Sequence, residues 1–188
     1  MRKRTEVRVF EFDYAITEKD YWNFNRYHTL HSPAGKKTLL VLSFIMPVIL
    51  AIQLVVDVLK GYAEYLIGVA VIYAVFSGIW ALLLRPMMLI GVYLNTVLLK
   101  KSGKLPYDSK VILKFDDEFL YEKAALMEIK MSYAKLERIA VGESGVYLYH
   151  AVLAAFLIPN HVFTNTVQKY DFLQFIHQKT NLPIEGIL

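Results

Sequence analysis

His28 and His31, three residues apart, are the first side chains in this sequence with the spacing of metal ligands. On a helix that spacing puts two imidazoles on one face, where they can share an ion. They stand directly before Ser32-Pro33, however, and no nearby acid completes a ligand set, so a pair of interfacial rings is expected. Asp116, Asp117 and Glu118 are consecutive carboxylates with affinity for Ca²⁺, but the loop lacks the spaced oxygens of a dedicated site. A solvated turn is the expectation there. His150 and His161 have no Ser or Asp at a spacing that suggests a triad.

Phosphate chemistry also lacks a carrier. There is no Walker loop, Rossmann fingerprint or zincin motif, and Gly142 and Gly145 read as the ends of a hairpin turn. The chain has no cysteine, which excludes disulfides, thiolate metal sites and a cysteine nucleophile. No catalytic, cofactor-binding or metal-binding residue is therefore expected, and the protein is read as non-enzymatic.

The elements that would position these residues are unevenly apolar. Hydrophobic residues make up 56% of the 188-residue chain, against roughly 45–50% in a soluble domain. The excess lies between Thr38 and Leu99. Thr38–Val56 and Tyr65–Leu84 contain no charge, and each is about the 20 residues that a helix needs to cross a hydrocarbon core of about 30 Å. The connection between them is short and polar, with Asp57, Lys60, Gly61 and Glu64, so the two spans form an antiparallel hairpin. Arg26, Lys36 and Lys37 precede it and Arg85, Lys100 and Lys101 follow it, whereas the loop holds only Lys60. The positive-inside rule then predicts both termini in the cytoplasm. No acid lies inside either span, so an ion path is not expected.

Pro47 is expected to kink the first span. Ser43 and Ala51, with Ala70, Ala74 and Gly78, form a stripe of small residues suited to close packing within the hairpin or to a homodimer; the hairpin's own packing is the simpler reading. Pro86–Leu99 is uncharged but too short for a span, and a break or a protrusion is expected near Arg85-Pro86. Gly91 and Asn95 on this segment are the candidate docking positions for a partner.

Outside the hairpin the pattern changes. Glu6–Tyr14 alternates like a strand, and Thr17 with Asp20 resembles a capping box for a helix from Glu18 to Leu30. From Lys110 onward, Val111–Phe115, Phe119–Lys123, Met127–Tyr133, Leu136–Val141, Val146–His150 and Ala155–Ile158 give about six short antiparallel strands. A final helix, capped by Thr164 or Asn165, runs to about Lys179 with Val167, Leu173 and Ile176 as its apolar positions. One terminal helix can cover the apolar face of such a sheet, the plan of a pleckstrin-homology-like barrel. The N-terminal strand is placed to join it.

The segments Ile16–Pro33 (ITEKDYWNFNRYHTLHSP), Leu113–Lys123 (LKFDDEFLYEK), Ser132–Tyr149 (SYAKLERIAVGESGVYLY) and Phe156–Phe163 (FLIPNHVF) resemble the YcxB-like family of bacterial membrane proteins. Where the family pattern often carries Trp near the start of the fourth strand, this chain has Tyr133. The resemblance covers nearly the whole chain and implies two spans and a cytoplasmic pleckstrin-homology-like domain; its motifs are structural and imply no activity.

The expected fold is thus an α+β membrane protein: a two-helix transmembrane hairpin plus a cytoplasmic pleckstrin-homology-like antiparallel β domain with a C-terminal helix. Its parts are residues 1–37 (cytoplasmic strand and helix), 38–84 (transmembrane hairpin), 85–106 (apolar helical connector) and 107–188 (the β domain). The expected function is a membrane-anchored interaction or regulatory module in the cell membrane, with the bilayer and a protein, or a second copy, as partners. Two alternatives stand beside it. One is an anionic-lipid sensor using Lys100, Lys101, Lys104 and Lys110, at about 1 kcal/mol per cation near such a surface. The other is an accessory subunit of a membrane enzyme or transporter. Basic residues form no dense stripe: residues 100–188 carry eleven against ten acids, so nucleic acid is not an expected partner.

Overall fold

A computed structural model of the chain describes residues 10–103, 110–124, 127–152 and 154–186. It divides into two compact units, one formed by the chain up to Phe24 together with the chain from Lys104, the other by Asn25–Gly103.

The first unit is built from two sheets. Strands β1 (Phe10–Ala15), β2 (Lys110–Phe115), β3 (Phe119–Ala124) and β4 (Met127–Ser132) form an antiparallel sheet in that order. Strands β5 (Arg138–Gly142), β6 (Gly145–Ala151), β7 (Ala154–Pro159) and β8 (Ile184–Gly186) form the second, in the order β7-β6-β5-β8. The N-terminal strand does join the C-terminal sheet: Phe10 pairs with Phe115, and Ala15 with Lys110. The part of the expected strand before Phe10 lies outside the described residues.

Alternation explains the first sheet. Phe12 and Tyr14 on β1 and Val111, Leu113 and Phe115 on β2 are buried, while Glu11 pairs with Lys114, and Asp13 with Lys110, as ion pairs on the outer face. Strand β6 is buried on both faces. Val146 and Leu148 enter the core; Tyr147 and Tyr149 point the other way, against the ring of Phe24 on helix α1 (Glu18–His31). Helix α4 (Thr166–Thr180) closes the core with Phe172, Leu173 and Ile176. Phe172 lies within 5.7 Å, ring to ring, of Phe10, Phe12, Phe115 and Phe163, mostly edge to face, the geometry aromatic quadrupoles favour. The Tyr14 hydroxyl donates to the carbonyl of Leu157 and ties one sheet to the other. Burial raises its pKa, with Glu122 and Asp20 adding to the effect, so it stays a donor.

The caps follow the sequence. Thr17 Oγ1 accepts from the Asp20 backbone N–H at 3.2 Å and the Thr17 N–H donates to Asp20 Oδ2 at 3.0 Å, a reciprocal capping box. Asn165 caps α4, accepting from the Gln168 N–H at 2.8 Å, and Asn181 ends it in a left-handed conformation. Two expectations are corrected. Val167 is 66% exposed, because α4 turns Phe172, Leu173 and Ile176 inward rather than its first turn. The six strands expected from Lys110 onward and the N-terminal strand are present as β1 to β7, and an eighth described strand, β8, follows α4. The strand beyond α4, β8, runs parallel to β5, so the second sheet is mixed. Gly186, at φ 113°, brings β8 so close to Val141 that a Cβ would lie 2.0 Å from its carbonyl oxygen.

The second unit holds two long apolar helices, α2 (Pro33–Leu59) and α3 (Leu66–Lys101), both long and apolar enough to cross a membrane. Helix α1 ends at His31 and α2 begins at Pro33, with Ser32 alone between them. Ser32 is an N-cap, accepting from the Gly35 N–H at 2.9 Å, and Pro33 occupies the first helical turn, where its missing N–H costs nothing. Of the break or protrusion expected near Arg85-Pro86, the break is absent: α3 is helical through both residues to Lys101. Good helix formers on either side, Leu82 to Leu84 and Met87 to Leu89, carry the helix across a proline that would end a weaker one.

Burial raises the pKa of the half-buried Glu122 carboxyl on β3. A folded-state pKa above the unfolded value means that the folded protein binds the proton more tightly, so stability falls as pH rises through that range. Glu122→Gln should therefore raise the thermal midpoint of the near-ultraviolet dichroism signal at pH 7. The gain should vanish below about pH 4, where glutamate is protonated in both states.

Candidate functional site

No reacting constellation forms among the described residues. His31 is stacked on Tyr27, ring centroids 5.2 Å apart, and no group of three His, Asp or Glu side chains converges to hold a metal. Asp116 Oδ1 accepts from the N–H groups of Glu118 and Phe119 at 2.8 and 2.6 Å, closing the β2–β3 turn on itself. Burial pushes its carboxyl up, but these bonds, with help from Tyr121 and Lys130, outweigh it and hold the pKa below the usual value. Asp117 receives Lys179 Nζ at 3.0 Å. His161 lies 3.8 Å from Asp20, whose other carboxylate oxygen is the α1 cap, and the His150 ring packs on Phe156. His31, Asp116, Asp117, His150 and His161 each have a structural contact.

The unusual surface belongs to the two long helices. Leu59, Ile67 and Leu82 are each about 80% exposed, and large apolar side chains stand open along both helices from Leu40 to Leu98. A continuous apolar surface of this length is far beyond the patches that soluble proteins leave in water.

The seam between α2 and α3 is polar at selected points. Trp80 Nε1 donates to the Leu42 carbonyl at 2.9 Å, and Tyr73 Oη donates to Asp57 at 3.2 Å, where Gln53 also donates at 2.9 Å. The stripe of small residues is divided. Ser43 and Ala70 are half-buried, whereas Ala51, Ala74 and Gly78 are exposed and a Cβ added to Gly78 would meet nothing within 4 Å, so close packing does not run along the whole stripe. A large ring with an N–H to satisfy occupies the seam instead.

At the α1–α2 corner the backbones nearly touch: a Cβ on Gly35 would lie 2.2 Å from the Thr29 carbonyl oxygen. Beside this corner is a cleft of about 540 Å³, with Leu39, Leu40, Ala81 and Leu84 among its walls and His31, Lys36 and Arg85 as its basic groups. Lys36 and Arg85 were legible as residues flanking the spans. That they share one cleft follows only from the way the hairpin folds back.

Lys110 is paired with Asp13 at 2.9 Å on the outer face of β2, Lys100 and Lys101 lie in the last turn of α3, and Lys104 is outside the described residues. Gly91 and Asn95 are exposed one helical turn apart on α3, with open space beside Gly91. No family profile, curated protein or solved structure matches the chain.

Gly35→Ala should lower the thermal stability of the detergent-solubilised protein by roughly 1–3 kcal/mol, the cost of forcing atoms into filled space. Gly78→Ala, which enters open space on a helix, should be neutral or stabilising in the same unfolding measurement.

Proposed function

We propose that this protein is a membrane-anchored, non-enzymatic interaction or regulatory module that presents a small pleckstrin-homology-like domain at the cytoplasmic face of the cell membrane. The observation that carries the proposal is the pairing of Ala15 with Lys110. The chain leaves the β unit and returns to it at neighbouring positions, with two exposed apolar helices between. A chain that crossed a bilayer once could not come back to its own strand partner; two crossings can. Lysine and arginine excess at the ends of the helix pair favours the cytoplasm for the β unit. Four strands, then three, then a closing helix is the plan of a pleckstrin-homology-like barrel, in keeping with the resemblance to the YcxB-like family.

Helix length supports an interaction role. At 36 residues, α3 is about 54 Å long, and a core of about 30 Å crossed at the steepest common tilt of about 40° accommodates only some 39 Å of it. About 15 Å of apolar helix projects. Gly91 and Asn95 lie toward that end of α3, which makes it the docking surface for a protein partner, including a second copy.

A photo-crosslinking amino acid at Gly91 or Asn95 should give a discrete higher-mass protein adduct in native membranes, while the same group at Ile67 should give only lipid adducts. Adducts at none of the three positions would remove the partner and leave an anchor without a docking role. Alkaline carbonate washing should leave the protein in the membrane fraction; release into the wash would contradict the anchor itself.

A further inference from the structure

Arg85 is the only charged residue between Glu64 and Lys100. A lone ionisable group inside an otherwise apolar helical stretch is costly in a bilayer and marks a functional position unless something offsets its charge. Neither long helix supplies an offset nearby. No Asp or Glu occurs from residue 21 to 56 or from 65 to 107, and the hairpin's two acids, Asp57 and Glu64, belong to its opposite end. Lys36 lines the same cleft as Arg85, so two cations face one cavity whose helices hold no carboxylate at that level.

The rest of the cleft is not built for a free ion. Leu39, Leu40, Ala81 and Leu84 give it apolar walls. The Ser43 hydroxyl is already used, donating to the Leu40 carbonyl at 2.6 Å. His31, stacked on Tyr27, also lines the cavity, and Lys36 and Arg85 are its two permanently charged groups. A volume of about 540 Å³ is within the range of roughly 300–1,000 Å³ that holds small molecules. The occupant that satisfies both halves carries a phosphate on an apolar stem.

The geometry points to a binding site for one anionic phospholipid, with its phosphate between Lys36 and Arg85 and the first carbons of an acyl chain along Leu39, Leu40, Ala81 and Leu84. Arginine suits this task because its planar guanidinium can donate two parallel hydrogen bonds to a phosphate while its stem lies on apolar surface. Lys36, in the first turns of α2, adds a second charge near the helix end where anions are favoured. Net uncharged lipids carry a phosphate too, but their own cation competes with Lys36 and Arg85 for it; an anionic headgroup leaves that charge free. The inference rests on the hairpin crossing the membrane, which puts this cleft at headgroup depth.

The chain has two tryptophans, and Trp80 adjoins Ala81 in the cleft wall. In a Trp22→Phe background Trp80 is therefore the only reporter. The full-length protein is placed in phosphatidylcholine nanodiscs doped with brominated-acyl phosphatidylglycerol or with brominated-acyl phosphatidylcholine, and quenching of Trp80 is followed against mole fraction. Phosphatidylglycerol should reach half-quenching at a mole fraction roughly five- to thirtyfold lower, the effect of one or two cations on an anionic lipid. In Lys36→Gln/Arg85→Gln the preference should fall to about one, whereas Lys100→Gln/Lys101→Gln should keep it. Equal quenching by the two lipids in the parent protein overturns the site, without reference to whether any variant folds. Preference surviving in the Lys36→Gln/Arg85→Gln protein, or lost equally in the Lys100→Gln/Lys101→Gln protein, overturns it as well. Absence of quenching by either lipid would instead refute the membrane-spanning hairpin.

Discussion

The hydrogen-bonded pairing of β1 with β2 is the constraint on which the rest depends. It joins residues 10–15 to residues 110–115, so everything in residues 16–109 is an excursion that must start and finish at one sheet edge. Contacts of such long sequence separation carry a large loop-closure cost, which grows only slowly once the loop is long. Here the aromatic cluster of Phe10, Phe12, Phe115 and Phe172 supplies the compensating burial. That cluster adds apolar burial to the backbone pairing, the Glu11–Lys114 and Asp13–Lys110 ion pairs and the Tyr14 hydroxyl bond, which together hold the first strand to a sheet formed almost entirely by the C-terminal half of the chain.

The two units solve the problem of polar groups differently. In the β unit buried polar atoms are few and tied: Tyr14 to Leu157, Tyr133 to the carbonyl of Asp116, Asp20 to the start of α1. In the helical unit the backbone satisfies itself, and the side chains that need partners find them in the seam or on their own helix. Trp80 reaches Leu42, Tyr73 reaches Asp57, and Ser77 and Thr96 donate to carbonyls one turn back. That economy is what a segment surrounded by hydrocarbon requires, since no water is available to take up a missing bond. Arg85 is the one charge between Glu64 and Lys100, and it lines the same cleft as Lys36, which makes it the part of the hairpin most in need of a ligand.

Much of this was legible in the sequence, for identifiable reasons. Period-two alternation gave β1 to β3, Thr17 and Asp20 gave the start of α1, and the uncharged runs gave two long helices. Three features were hidden. β8 has three residues behind Pro183, too few to carry a period, and its parallel pairing depends on Gly186 approaching Val141. The continuity of α3 through Pro86 was obscured because local proline rules outweigh helix propensity in a short window. The small-residue stripe suggested a seam that the structure builds from Tyr73 and Trp80, because a seam in an apolar segment is also where an indole N–H can be satisfied. The cleft at Lys36 and Arg85 was invisible for a simpler reason: the two residues are distant in sequence and meet only when the hairpin closes.

The central claim is that this excursion crosses a bilayer twice and returns. A chain without cysteine allows a clean test. Single cysteines are introduced as Glu64→Cys in the turn between α2 and α3 and as Ser144→Cys in the turn between β5 and β6, and cells expressing each protein are treated with a membrane-impermeant thiol reagent. The account predicts labelling of the Glu64→Cys protein in intact cells and of the Ser144→Cys protein only after the membrane is permeabilised. Equal labelling of the two in intact cells would contradict it.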